Sequence, residues 1–302
     1  MRFPIVLCAV MFAAITARAA EAPSPSPLHR NYTEGEKLHY SIEGAHYQDG
    51  KKNHDYNAQA EGIVVKDSSG VFHEEVLWTK AQAEYDDNEI ILSSAEVNIA
   101  QQLSLDPGFR PALPDLSKVH QALIGPITDL LTFYTDDYLA IRKQLRNAGD
   151  HVFIPRQNAN SWAGGVKIVI GYDCVDFDIT LSSMTNDTAT LHVRHQPPAK
   201  GCSTQPPAEW MSKPVTDIAN NWFEVQKIAD SKYDAAAGNE VFDAELKIAI
   251  PAGAIKSATM HNPVDMEHRI CKDLSLSDCD APRRSKITRE IKLFVQDSIA
   301  VE

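Results

Sequence analysis

Alternation with a period of two runs through most of this chain, and it admits one kind of architecture: strands with a dry side and a wet side. Leu38, Tyr40 and Ile42 fall on one side of a segment whose other side carries Lys37, His39 and Ser41. Ala58, Ala60, Gly62 and Val64 repeat the pattern, Asp67-Ser68-Ser69-Gly70 makes a turn, and Phe72, Glu74, Val76 and Trp78 follow. This pair reads as an antiparallel hairpin with one wet face. A further strand is expected at residues 90–99. Strands resume at Val152, and residues 166–181 form a long one whose apolar phase switches near residues 172–175, as a bulge or bend would make it do. Residues 188–195 pair with it. After a Pro-rich excursion over residues 196–214, a meander is expected at 221–228, 241–250, 255–261, 266–271 and 287–295, with Ala237-Gly238-Asn239 and Pro251-Ala252-Gly253 as turns.

The middle of the chain breaks this rhythm. Residues 116–123 suit a short helix ended by Gly125-Pro126. Beyond it Ile127, Leu130, Leu131, Tyr134, Tyr138, Ile141 and Leu145 fall at helical spacing and make one apolar stripe. Arg142, Lys143 and Arg146 sit in the last turns, where cations suit the helix dipole, and Gly149 offers a left-handed closing residue. The expected fold class is therefore α+β and mostly β: a large curved antiparallel sheet with two central helices packed on its concave face. One domain is expected over residues 32–302, with the helical insertion around 115–148; two sheets flanking the helices is the alternative.

The first residues speak to compartment. Arg2 precedes an uncharged run over residues 3–15, and Ala17-Arg18-Ala19 has the small-x-small pattern of a signal-peptidase site, so residues 1–19 read as a signal peptide. Arg18 closes the run short of the roughly 20 residues a spanning helix needs, which leaves no transmembrane segment after its removal. Residues 20–31, with Pro23, Pro25 and Pro27, read as an extended leader. Cleavage removes two arginines and no acid, moving the net charge from −12 to −14. Such a chain repels phosphate backbones, so nucleic acid is not an expected partner. Four cysteines remain: Cys174, Cys202, Cys271 and Cys279. An even number in an exported chain implies two disulfides with three pairings open. Nearest-neighbour pairing, Cys174 with Cys202 and Cys271 with Cys279, closes two turn-rich stretches. Loop entropy assigns the bridges about 3.5 and about 2.5 kcal/mol.

Catalytic signatures are absent: there is no G-x-S-x-G, S-x-x-K, P-loop or H-E-x-x-H pattern. His73-Glu74-Glu75 has Leu77 where a zinc-protease motif needs histidine. His192 and His195, three apart on a strand, point to opposite faces and read as solvent-facing rather than as a metal pair. Asp176 and Asp178 read as carboxylates on an exposed strand face. No catalytic residue, metal ligand or cofactor is assigned. Tyr134, Tyr138, Trp162 beside Gly164-Gly165, Trp210 and Trp222 are the candidate lining of a cleft between helix and sheet; core packing is the competing reading of the same residues.

Gly35-Glu36-Lys37-Leu38-His39-Tyr40 resembles the opening strand of uncharacterised exported bacterial β-rich proteins. Gly253-Ala254-Ile255-Lys256-Ser257-Ala258 is similar to the late meander of periplasmic lipoprotein-carrier-like half-barrels. Together these cover about a dozen residues. The resemblance implies a curved antiparallel sheet closed by helices around an apolar cavity, and a ligand- or partner-holding role; it carries over no functional residue. The expected function is an exported, disulfide-stabilised, non-catalytic protein, periplasmic or secreted, that binds an apolar small molecule or an envelope protein. A secreted hydrolase using carboxylates or histidine, and a structural envelope protein, are the alternatives.

Overall fold

The computed structural model describes residues 26–85, 88–106, 108–109, 114–158, 168–199 and 201–297. The signal segment, residues 20–25 of the leader, and Trp162 with Gly164-Gly165 lie outside these.

Three long strands open the fold: β1 (Lys37–Gln48), β2 (Lys51–Lys66) and β3 (Phe72–Tyr85). Their alternation is as the sequence implies, with Leu38, Tyr40, Ile42, Ala58, Ala60, Val64, Val76 and Trp78 buried on one face. Residues 90–99 are not one strand. They divide into β4 (Asn88–Ile91), a single helical turn α1 (Ser94–Val97) and β5 (Ala100–Leu103), β4 and β5 both pairing with β3. The break comes from Ser93, whose backbone N–H and hydroxyl both donate to the Glu96 carboxylate (2.9 and 2.6 Å), the local contact that starts a helix and stops a strand.

The expected pair of central helices is one helix and a turn. Leu116–Lys118 is a single 3-10 turn, and α2 (Gln121–Arg142) runs straight through Gly125-Pro126. Pro126 forfeits one backbone bond in the second turn. Gly125 marks a close approach instead of a stop: a Cβ there would lie 3.1 Å from Cε1 of Tyr56 on β2. The helix ends in a Schellman arrangement, with Gln144 N–H donating to Ile141 O (2.9 Å) and Leu145 N–H to Ala140 O (3.3 Å). Gln144, at φ 55°, is thus the left-handed residue, and Gly149 serves the turn before the next strand.

The second half comprises β6 (His151–Asn158), β7 (Ile168–Met184), β8 (Thr188–Gln196), a short α3 (Glu209–Ser212), β9 (Trp222–Ala229), β10 (Lys232–Glu240), β11 (Phe242–Ala249), β12 (Ile255–Cys271) and β13 (Arg283–Asp297). Ala237-Gly238-Asn239 is not a turn but the interior of β10. Gly238 is needed there because a Cβ would lie 2.2 Å from the Asp265 carbonyl oxygen of β12. That close pairing also makes residues 255–271 one strand where two were expected.

All thirteen strands join one antiparallel sheet. β8 and β9 lie end to end along one edge of β7, against Asp176–Met184 and Ile168–Asp173 respectively. β11 and β10 share one edge of β12 in the same way. β13 pairs with β1 and so joins the late meander to the early hairpin. The outermost strands are β6 on one side and β4 with β5 on the other, and the chain travels between these edges through α2.

Apolar residues gather in two places. The larger core places Ile127, Leu130 and Phe133 of α2 against Trp78, Ile179, Leu191, Leu246 and Leu293 of the sheet. Leader residues belong to it as well: Leu28 is 0 % exposed, Ser26 Oγ donates to Leu145 O (2.7 Å), and Asn31 N–H donates to Ala252 O (2.8 Å). The smaller core, Tyr172, Cys174, Met211, Phe223, Val225, Ala235, Ala237, Cys271 and Leu276, lies on the other face of β7, β9, β10 and β12. β7 explains the expected phase switch without a bulge. Its pairing with β6 is unbroken from Asp173 to Thr180, yet Tyr172 and Cys174 bury on one face while Phe177, Ile179 and Leu181 bury on the other, because each face has its own cover. Asp176, expected in solvent, is buried and accepts the Ala199 N–H; Asp178 pairs with His151.

Both disulfides form between sequence neighbours: Cys174–Cys202, with Cα atoms 6.0 Å apart, and Cys271–Cys279, at 4.0 Å. They place the chain in an oxidising compartment, the envelope or beyond it.

Candidate functional site

α2 carries more than an apolar stripe. Thr128, Asp129, Asp136 and Asp137 are buried along with its hydrocarbon side chains. Asp129 and Asp136, two turns apart, share one side of the helix. Asp129 accepts the Tyr56 hydroxyl of β2 (2.5 Å) and pairs with Arg289 of β13. Asp136 Oδ1 holds His195 Nε2 of β8 at 2.6 Å. On another side, the Tyr134 hydroxyl donates to Glu74 of β3, where the Tyr40 hydroxyl of β1 also donates (2.7 Å). Arg30 Nε stands 3.5 Å from the same carboxylate, and its Nη2 donates to Glu36 at 2.7 Å.

Burial governs the electrostatics of these seams. It pushes the Glu74 carboxyl up against the pull of Arg30 and the two phenols, and it raises Glu240 against the pull of Arg289. Burial opposes the Arg30 charge, yet Glu74 and Glu36 hold its guanidinium above the usual range. On the same face His46 and His54 sit opposite one another on β1 and β2, ring centroids 4.6 Å apart, with His54 stacked on Tyr85 at 3.9 Å. Burial, then the Arg289 charge and His54, lower His46 to about 3.

The His192/His195 pair splits as its spacing requires. His192 stays outside, paired with Asp243 at 2.7 Å. His195 is not solvent-facing: it is 7 % exposed, lying against Phe177 and Phe242 with centroids at 4.2 and 5.2 Å. An Asp–His pair is half of a nucleophile-activating arrangement, but among the described residues no hydroxyl or thiol is hydrogen-bonded to the imidazole.

Beyond the helix the same face of the sheet becomes polar. Asp173 follows Phe177 and Val175 on β7; Trp222 pairs with Asp173 and with Gly238; Glu224 and Gln226 follow on β9; Asp234 and His268 complete the group on β10 and β12. Alternation places all these side chains on the helix-facing side. Asp173 Oδ1 and Trp222 Nε1 are buried without a hydrogen-bond partner among the described residues, and Asp234 Oδ1 lies 3.5 Å from His268 Nδ1. Burial raises Glu224, whose carboxylate accepts the Gln226 amide at 2.6 Å, and raises Asp173 against the opposing Arg156 charge. A carboxylate oxygen and an indole N–H left unmet side by side suit a ligand that offers donors of its own and a flat or cationic surface.

The four described candidate lining residues are not brought together. Tyr134 is inside the Glu74 cluster. Tyr138 lies on a partly exposed side of α2 with the Arg142 guanidinium 5.8 Å from its ring centre. Trp210 packs on the smaller core, across the sheet, with Arg269 at 4.6 Å from its ring centre. Trp222 alone joins the polar face, and Trp162 is outside the described residues. Glu74, Asp129 and Asp136 are the buried groups that sequence reasoning passed over. Their signal is phase: Glu74 alternates with Val76 and Trp78, and Asp129 and Asp136 keep helical step with Phe133 and Ala140.

A separate concavity of about 650 Å³ is lined by Glu43, Asp55, Glu84, Glu89 and Glu290 with Lys292. Among the described residues no group of three or more His, Cys, Asp or Glu could hold a metal ion, and no helix is long and apolar enough to cross a membrane.

No protein-family model matches the chain, and no curated protein matches it in sequence. Among solved structures it is similar to a loop-deletion mutant of OmpT, an outer membrane protein of Vibrio cholerae, at 9 % identity over 86 % of this chain and 98 % of that one, with a TM-score of 0.15. It is similar also to OccK2 (OpdF) of Pseudomonas aeruginosa, at 7 % identity over 88 % of this chain and 98 % of that one, with a TM-score of 0.17. Likeness of this degree carries no argument about fold or function.

Proposed function

We propose that this chain is an exported, non-catalytic binding protein, periplasmic or secreted, that takes a polar ligand on the polar part of the helix-facing side, around Trp222. The reading includes a sheet curved about α2. β3 and β8 stand six strand positions apart, about 29 Å on a flat sheet at ~4.8 Å per strand, and both bond to one helix of about 10–12 Å diameter. The observation that carries the binding role is the pair of buried atoms without a hydrogen-bond partner among the described residues, Asp173 Oδ1 and Trp222 Nε1, in facing register positions. Groups left in that state cost about 1–3 kcal/mol each, which a bound partner offsets. An apolar small molecule, the first expectation, finds the interior occupied by Ile127, Leu130 and Phe133.

Calorimetric titration of the full chain with maltose, choline and laurate tests this. Maltose or choline binds, and binding is lost in Trp222→Ala but retained in Tyr138→Ala. Binding of laurate alone, or binding that survives Trp222→Ala, overturns the assignment of the face. Turnover of ester or glycoside substrates that disappears in His195→Ala would move the molecule to the hydrolase reading, which the Asp136–His195 pair favours.

A further inference from the structure

Asp137 is 0 % exposed, and neither of its carboxyl oxygens has a hydrogen-bond partner among the described residues. The groups around it come from each element packed there. Arg30 is supplied by the segment before β1, Glu74 by β3 and Asp136 by the helix itself; Tyr134, one turn back on the helix, and Tyr40 of β1 bond to Glu74, and His195 of β8 bonds to Asp136 Oδ1. Arg30 is the cation within reach, and it is committed elsewhere: Nη2 to Glu36, Nη1 to the carbonyl oxygens of Asn31 and Ala252 (3.1 and 3.5 Å), and Nε toward Glu74. Glu74 and Asp136 both repel a second negative charge. A carboxylate without water, cation or donor is the least tolerable group a protein interior can hold, whereas a neutral carboxyl is merely unsatisfied.

We infer that α2 is seated in the sheet with a proton on Asp137, and that withdrawing this proton loosens the helix, so the fold contains a proton-operated latch. The inference is independent of the Trp222 face. Burial, then the Asp136 charge, push the Asp137 carboxyl well above the usual range. A carboxyl raised in the folded state contributes stability that is complete below its unfolded value, about 3.9, and is lost as pH climbs through the folded one. His46, held at about 3, acts in the opposite sense: its contribution is lost as pH falls from about 6.5 toward 3. The difference between wild type and an Asp137 variant removes that term. Loosening α2 uncovers Ile127, Leu130 and Phe133 together with the sheet residues they cover.

The test compares the full-length wild type with Asp137→Asn, which keeps the shape, and with Asp137→Leu, which removes the polar atoms, at pH 5, 7 and 9. Urea titration and amide hydrogen exchange are both read. The wild-type folding constant falls relative to either variant by about tenfold per pH unit for as long as the native chain keeps the proton. Exchange of α2 amides, corrected for base catalysis, quickens with pH in the wild type and not in the variants, while β12 amides follow global unfolding alone. Parallel pH profiles for wild type and both variants overturn the inference. So does an α2 exchange rate that changes with pH no more than that of β12.

Discussion

The two cores of this molecule are held by different means. Around α2, a long helix meets a broad sheet face, and every cross-connection is noncovalent: close packing of Leu130, Phe133, Trp78 and Leu191, with Glu74, Asp129 and Asp136 bonded inside it. Across the sheet, the cover is residues 197–221, an irregular stretch containing five prolines and only the four-residue α3. That cover buries little more than Met211 and part of Trp210, and the Cys174–Cys202 bridge ties it down. A regular element brings enough apolar area, and enough satisfied backbone, to hold itself in place. An irregular cover brings neither, and a covalent link restricts the unfolded chain in its stead.

Three perturbations would break or sharpen this contrast. Phe133→Ala, at a fully buried position of α2, is expected to destabilise by about 3–5 kcal/mol, read from the urea midpoint at constant slope. A loss below about 1 kcal/mol would show a loosely filled interior. Replacing Cys174 and Cys202 together with serine is expected to cost about 3.5 kcal/mol. The accompanying rise in proteolysis falls within residues 197–221 and leaves α2 protected; equal loss of protection in both regions would remove the distinction. His192→Ala, on the wet side of β8, should change stability by no more than about 0.5 kcal/mol, although His192 and Asp243 sit at hydrogen-bond distance. A larger effect would show that surface pairs matter here as much as interior ones.

Alternation in the sequence contained the opening hairpin down to its inward-facing residues, because one wet face leaves a period that side chains must obey. The disulfide pairing was legible for a related reason: each bridge closes a stretch of turn residues. What stayed hidden depends on partners distant in the chain. Gly125 looks like a helix stop until the Tyr56 ring from β2 occupies the space beside it, and Gly238 looks like a turn until β12 presses on β10. The pairing of β13 with β1 leaves no local trace, since periodicity names a face and not a neighbour. The polar seams were half visible. Glu74 stands in apolar phase, yet nothing near it in sequence announces Tyr40, Tyr134 and Arg30. For the Trp222 face the obstacle was the strand β9 itself, where Trp222, Glu224 and Gln226 look like an ordinary wet side until Asp173 and Asp234 arrive from β7 and β10.

The collinearity of β8 and β9 has a practical corollary. Gln196 faces Asp176 and Trp222 faces Asp173 on the same neighbouring strand, so the chain steps out of the ladder and re-enters it almost where it left. The sheet therefore has a built-in docking port for foreign sequence. A reporter module spliced between those two points would ride on the exterior as cargo, while the hydrogen-bonded lattice beneath it keeps its register.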